Sequence, residues 1–280
     1  MNDLFSLEGM IAVVTGGGSG IGLMVATALE DKGATVYIVG RRKTVLEAAA
    51  KESSKHGRII PLQGDITDRD SLLAAAQTLR EKHGYINLLV NNAGVALGNR
   101  RPQDYRGDIR ALQSALWNDA APGDFEGCFG INVTGTYYCT VAFLDLLHEG
   151  NLRTADATGV TSQVLSVSSI ASFRRDERSY SIPYTLSKVA CTHMGKAWVN
   201  LLRDWKIRSN VLAPGIFPSD MTQEIVTSAD VMKDVPLKRP GSQEDVAGTV
   251  VYLASRAGAY VNGTVHLLDG GRLSSFSSTY

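Results

Sequence analysis

The sequence predicts an α/β protein built on one doubly wound parallel sheet of about seven strands, with helices on both faces. Three observations predict it. Short β-rich runs alternate with helix-length segments, the order that builds a parallel sheet. The runs are apolar without polar alternation, as expected of strands covered on both faces. Several helix-length segments end at a glycine, at Gly33, Gly57 and Gly84, the preferred residue just past a helix end.

Taken in order, "IAVVT" (11–15) is the first strand; glycines and the helical run "IGLMVATALEDKG" follow it. "TVYIVG" (35–40) leads into "RKTVLEAAAKESSKHG", and "RIIPLQ" (58–63) precedes "SLLAAAQTLREKHG". The fourth strand is "INLLVNN" (86–92); later come "SQVLSVSS" (162–169), "IRSNVLAPG" (207–215) and "TVHLLDGG" (264–271). A polar stretch rich in Gly, Pro and Asp at 95–125 interrupts the rhythm, with room for a short helix at 108–118. So long a loop is usually functional or disordered. It leaves the carboxyl end of a strand, the edge where open α/β sheets bind ligands, so part of the substrate wall is expected there. No linker or low-complexity segment divides the chain. We expect one domain over 1–280, with the cofactor half mainly at 8–95 and substrate loops at 95–125, 170–183 and 215–240. The polar tail 272–280 is expected to fray or to pack against a neighbour.

Composition narrows the function. The 280 residues are 44% apolar and 20% charged, as in soluble globular proteins. Acidic and basic residues number 28 each. That balance points away from nucleic acid, whose binders usually carry a basic excess. The three cysteines, Cys128, Cys139 and Cys191, lack metal-ligand or disulfide spacing and suit a reducing compartment. No Asp/His/Cys cluster suggests a metal. "MNDLFSLEGM" does not resemble a signal peptide, and no apolar run reaches membrane-spanning length. The expectation is a cytoplasmic protein with no membrane partner.

"TGGGSGIG" (15–22) follows the first strand and opens a helix. Glycines there permit a tight turn and close backbone approach, and the helix N-terminus stabilises phosphate. Gly16, Gly20 and Gly22 are expected to be structural, with Gly18, Ser19 and Ile21 along the cofactor. The second strand ends at "VGRR", where folds binding the unphosphorylated dinucleotide usually place Asp or Glu. Arg41 and Arg42 stand there instead. An arginine fork attracts a 2′-phosphate, so the pattern predicts NADP(H), with Arg41 on the phosphate and Arg42 stacking on adenine. The alternative is two solvated arginines starting a helix. Asp65 in "QGDITD" follows the third strand and could accept from the adenine amino group or cap a helix; Asp68 competes for the cap.

"YTLSK" (184–188) places a phenol and an ammonium four residues apart. On a helix they share a face, and a nearby ammonium favours phenolate. Such a pair also occurs by chance. Small or apolar residues at Ala190, Cys191, Met194, Ala197, Trp198 and Leu201 give this helix more than one apolar side. With the helix at 142–150 it could form a four-helix contact with a second subunit.

These stretches together resemble the short-chain dehydrogenase/reductase superfamily over about residues 8–271. The likeness rests on "TGGGSGIG", "NNAG" (91–94), "FGINVTG" (129–135), "VSS" (167–169), "YTLSK", "APG" (213–215) and "DGG" (269–271). Within it the chain looks like the 3-ketoacyl carrier-protein reductases and fungal ketoreductases of secondary metabolism. The resemblance implies Tyr184 as acid/base, Lys188 as its partner on the ribose, and Ser169 as the substrate-orienting hydroxyl. It implies that Asn132 holds a water linking Lys188 to solvent. Ile66, Asn92, Gly94, Pro214, Gly215, Ile216 and Ser219 join the cofactor set. The implied activity is NADPH-dependent reduction of a ketone on a small-molecule, acyl or polyketide-like substrate, by a homodimer or homotetramer. Alternatives are alcohol oxidation, dehydration or epimerisation on the same scaffold, or NADP(H) binding without catalysis. Two departures flank the substrate side. Tyr184 lies fifteen residues after Ser169, wider than the family's usual spacing, so "FRRDERSYSIP" must bulge outward; and the 95–125 loop is longer than the family commonly shows.

Overall fold

The computed structural model describes residues 2–98, 107–154, 159–176, 181–219, 221–222, 226 and 232–280. Seven parallel strands form one sheet: β1 Ile11–Thr15, β2 Thr35–Gly40, β3 Ile59–Gln63, β4 Leu88–Asn91, β5 Gln163–Val167, β6 Arg208–Pro214 and β7 Val265–Leu268, in the order β3-β2-β1-β4-β5-β6-β7. The order reverses between β1 and β4, which opens a crevice at their carboxyl ends.

Side-chain alternation explains why the strands read as continuous apolar runs. Ala12, Val14, Val36, Ile38, Leu88 and Val90 enter one core with helices α1 (Gly20–Asp31), α2 (Lys43–Ser53) and, numbered here as the last helix, α8 (Gln243–Ala254). Ile11, Val13, Tyr37, Val39 and Leu89 enter the other with α3 (Arg69–Lys82), α6 (Thr136–Thr154) and α7 (Ile182–Leu201). A period of two thus feeds two cores. Each fully buried aliphatic side chain contributes about 1.5–3 kcal/mol, so the sheet is held from both faces. The edge strands depart from the expected pattern: β3 buries only Ile59, half-buries Ile60 and Leu62 and exposes Pro61 and Gln63, and β7 is half-buried throughout, since an edge has one neighbour fewer and tolerates proline.

Gly33 and Gly84 lie just past the ends of α1 and α3 at φ +113° and +78°. Gly57 is also left-handed at +70°, but it sits in the turn after α2 rather than at its end. Glu30 of α1 holds that turn. Its fully buried carboxylate accepts from Ser54 Oγ at 2.6 Å and from the N–H groups of His56 at 2.8 Å, Lys55 at 3.0 Å and Arg58 at 3.2 Å. Burial alone would raise its pKa, but these donors outweigh it and hold the carboxyl below its ordinary value.

The long loop carries α4 (Ile109–Asp119), capped by Asp108 from the N–H groups of Arg110 and Ala111, and then α5 (Pro122–Phe129). The α4 helix buries no residue and leaves Trp117 84% exposed, so it lacks the core contacts that anchor the other helices. In α7, Cys191 and Trp198 are buried and Met194 packs against the core. Of the predicted set Ala197 and Leu201 are exposed, as are Ile182, Leu186 and Val189 on the same helix, and α5 and α6 expose Phe125, Phe129, Tyr137 and Val141. The cysteines are free and buried. Among the described residues no helix is long and apolar enough to cross a membrane.

The tail corrects its expectation. It does not fray: Arg174 and Ser278 form an antiparallel bridge, and Thr279 donates from its N–H to Phe173 O at 2.8 Å.

Candidate active site

The glycine turn is built by steric exclusion. A Cβ on Gly22 would lie 2.3 Å from Gly16 O, and one on Gly16 would lie 2.9 Å from Ala93 Cα. Gly16 and Gly20 also need left-handed backbone, at φ +64° and +51°. The turn is tied to β4 by Asn92, whose Nδ2 donates to Thr15 O at 3.0 Å and Gly16 O at 3.2 Å. Thr15 Oγ1 accepts in return from the N–H groups of Asn92 and Ala93. Sequence reasoning missed Thr15; its place as the last residue of β1, before the first glycine, was the signal.

The turn opens onto a cleft of about 440 Å³, within the usual range for small-molecule sites. Gly16, Gly18, Ser19, Gly20 and Ile21 line it from β1 and α1. Ser19 stands at the N-cap of α1, yet its side chain makes no capping bond, so the first N–H groups of the helix are available to an anion. Arg41 and Arg42 line the far end, exposed, with Arg42 at the N-cap of α2. Asp65 and Ile66 form a wall with Val45 and Leu46. Asp68, not Asp65, caps α3. One Asp65 oxygen accepts from Thr67 N–H at 2.9 Å and Thr67 Oγ1 at 2.8 Å. Burial raises this carboxyl's pKa, but the Thr67 donors and the Arg41 charge overcome that and lower it. The cleft's glycines, free helix end, apolar side chains of Val45, Leu46 and Ile66 and cationic end fit a nicotinamide dinucleotide.

The other wall comes from β4, β5, β6 and α7. Asn92, Gly94, Ser169, Tyr184, Lys188, Pro214, Gly215 and Ser219 all line it. Three predicted residues do not. Gly22 lies behind the turn, and Asn132 and Ile216 are 1% and 8% exposed; Phe217, itself 2% exposed and packed in the core, borders the cleft. Met221 and Thr222 also line it. Thr222, three residues after Ser219, shares a 2.9 Å hydroxyl bond with it and went unread in the sequence.

At the inner end Ser169 has extended backbone and opens a 3-10 turn, its Oγ accepting from Ala171 N–H at 3.1 Å. The same hydroxyl lies near enough to the Tyr184 phenol to lower its pKa. Lys188 is 5% exposed; its Nζ lies 5.9 Å from the Tyr184 ring centroid and donates to Val167 O at 2.9 Å. Burial pushes the Tyr184 phenol up to about 12, against the lowering from Ser169. It pushes the Lys188 ammonium down. The expected acidification of the phenol by the lysine is therefore not what this structure has: the ammonium points at a carbonyl, and desolvation dominates. Nζ keeps two further protons for other acceptors.

Asn132 sits in a π-helical turn, Gly130–Gly135, between α5 and α6, a distortion frequent at functional sites. Its side chain is committed elsewhere. Oδ1 accepts from Val95 N–H at 2.9 Å, and Nδ2 donates to Val95 O and Ser187 Oγ, both at 2.9 Å. Both amide protons are thus used, while Oδ1 keeps a second lone pair for a further donor. Gly94 is needed here because a Cβ would lie 2.9 Å from Asn132 Oδ1 and 3.4 Å from Lys188 Nζ. Of the predicted bulge, residues 177–180, Tyr180 included, lie outside the described residues, as do 99–106 of the long loop. Among the described residues no group of three or more His, Cys, Asp or Glu could hold a metal.

Known proteins agree with this geometry. The chain is 44% identical over 285 residues to the short-chain dehydrogenase/reductase PhomF of Diaporthe leptostromiformis, covering 99% of this chain and 96% of the relative. It is 32% identical over 276 residues to the rhamnolipids biosynthesis 3-oxoacyl-[acyl-carrier-protein] reductase of Pseudomonas aeruginosa, covering 97% and 99%. The solved Pseudomonas aeruginosa RhlG/NADP active-site complex superposes with a TM-score of 0.84 at 30% identity, covering 98% of this chain and 100% of that one. The family model described as short chain dehydrogenase matches residues 10–230, and with that match the chain belongs to the short-chain dehydrogenase/reductase family of oxidoreductases.

Proposed function

We propose that the protein is an NADPH-dependent reductase acting on a ketone of a small-molecule, acyl or polyketide-like substrate, with Tyr184, Ser169 and Lys188 carrying the chemistry. The observation that carries this is the Tyr184–Ser169 hydroxyl pair, beside a buried Lys188, in the same cleft as the glycine turn and Arg41. When bound, the nicotinamide supplies the hydride. The N-terminal turn of α1 holds the pyrophosphate, Arg41 holds the 2′-phosphate with Arg42 beside the adenine, and Lys188 bonds the ribose. Ser169 and Tyr184 aim two donors at one carbonyl oxygen, where negative charge builds during reduction. The elevated phenol keeps Tyr184 protonated near neutrality. That is the form a reductase needs in its proton donor.

The apolar stripe on α5, α6 and α7 supports a homo-oligomer, since patches of this kind on soluble proteins mark interaction sites. The relatives named above support a carbonyl substrate of acyl or biosynthetic origin.

Tyr184→Phe tests the assignment. NADPH oxidation against β-ketoesters, quinones, sugars and aromatic ketones should fall about 100- to 10,000-fold, with NADPH binding unchanged. Retained turnover removes Tyr184 as the proton donor.

A further inference from the structure

The last five residues close over the segment that carries Ser169. Phe276–Tyr280 runs antiparallel to 173–175: Arg175 N–H donates to Ser277 O at 2.9 Å and Thr279 N–H to Phe173 O at 2.8 Å. The Phe276 ring lies 3.7 Å from the Arg174 guanidinium and 5.1 Å from that of Arg272, close enough for cation–π attraction to both. Arg174 is itself locked, with its side chain 6% exposed and two bonds of 2.8 and 2.6 Å to Asp176. Tyr280 meets Phe173 edge-on at 5.1 Å. Leu273, just before the strap, packs with Ile170 and Phe173.

From inside, the same segment hangs on hydroxyls. Ser172 Oγ donates to Ser169 O at 2.7 Å, Thr192 Oγ1 donates to Ser172 Oγ at 3.1 Å, and Thr192 and Ser168 hydroxyls meet at 2.5 Å. Ala171, whose N–H fixes Ser169 Oγ, packs beside Tyr184. Ser169 therefore sits on a short turn with α7 on one side and the chain's own end on the other. The strap lies beyond the family model's match, which stops at residue 230.

We infer that the C-terminal strap, anchored by Phe276 between Arg174 and Arg272, is a positioning element that holds residues 170–176 so that the Ser169 hydroxyl stays against Tyr184. The inference rests on the reading of Ser169 as a donor to the carbonyl. Phe276 touches neither Ser169 nor Tyr184 in any contact described above, so it acts through the backbone of 170–175.

The test uses the full-length chain with Phe276→Leu, a chain ending at Ser275, and Phe276→Tyr, which keeps the ring. Ethyl acetoacetate and 9,10-phenanthrenequinone are the probes, and NADPH affinity is followed by its fluorescence. Phe276→Leu and the shortened chain should lose about 10- to 100-fold in kcat, the range expected when a supporting group is displaced by an ångström. NADPH affinity should hold, and Phe276→Tyr should recover most of the loss. If the shortened chain does not fold, Phe276→Leu decides alone. A double variant, Ser169→Ala with Phe276→Leu, should be no slower than Ser169→Ala, because positioning an absent hydroxyl does nothing. Wild-type kcat in Phe276→Leu, additive losses in the double variant, or no recovery with Phe276→Tyr each overturn the inference. Ser169→Ala at full speed, or no turnover of either probe by the unaltered protein, overturns the site reading instead.

Discussion

The glycine turn at 15–22 and the serine segment at 169–176 are both short loops at the carboxyl ends of strands, β1 and β5. They are held in different ways. In the turn, residue type does the work: Gly16, Gly20 and Gly22 occupy positions where a Cβ meets backbone or the backbone is left-handed. In the serine segment, partners do the work. Its hydroxyls bond Thr192 and its outer edge bonds Thr279, 106 residues after Phe173. A loop specified by what its residues lack can be read from a local string. One specified by what it touches cannot.

The difference can be broken or sharpened at the bench. Gly22→Ala carries the largest effect on the turn: its Cβ would sit 2.3 Å from a main-chain oxygen, so the turn must shift. Overpacking of this kind costs about 3 kcal/mol, which lowers Tm by roughly 5–10 °C in a chain of this size. NADPH affinity should fall with it. Calorimetry finding no loss of stability would show that the turn is not sterically determined. The strap variants should do the opposite, losing turnover while keeping the cofactor.

Arg41→Ala separates binding from stability within the cofactor end. The side chain is exposed and lines the cleft. Loss of a charged hydrogen bond to a phosphate raises the Kd for NADPH about 10- to 100-fold, with NADH affinity and Tm unmoved. Equal weakening of both nucleotides would take Arg41 off the 2′-phosphate.

Glu30→Gln is the smallest and concerns stability alone. The carboxylate is held below its ordinary pKa of 4.5 by Ser54 and three backbone N–H groups, against the effect of burial. A lowered folded pKa stabilises above the unfolded value, and that contribution is lost as pH falls through the folded one. The variant should therefore lose about 1–2 kcal/mol at pH 7. Its stability should converge on the parent's as the pH drops below the ordinary carboxylate range. A gap that stays constant down to acid pH would mean the charge plays no part.

The fold was legible because its signal is redundant. Each apolar run can be a strand only if both faces are covered, and seven such runs with helices between them admit few arrangements. The edge strands β3 and β7 blurred this, since burial on an edge depends on which neighbours arrive. Within the site, the glycines, "NNAG" and the Tyr184–Lys188 spacing were legible because a turn or a helix fixes them locally. The Ser219–Thr222 hydroxyl bond was not, because it depends on how the chain turns after β6. The hydrogen bonds of Asn132 were equally hidden, because its partners Val95 and Ser187 lie 37 residues before it and 55 after it.

By itself, then, the order of residues determined the layered sheet, the glycine turn, the cationic end of the cleft and the meeting of Tyr184 with Lys188 on one helix. Each follows from backbone sterics or from a period of two or four. Only the tertiary structure decided the burial that raises the phenol's pKa, the partners of Asn132 and the resting place of the tail. Desolvation, the partners of an amide and the seating of Phe276 between two arginines are set by atoms that become neighbours only after the chain has folded.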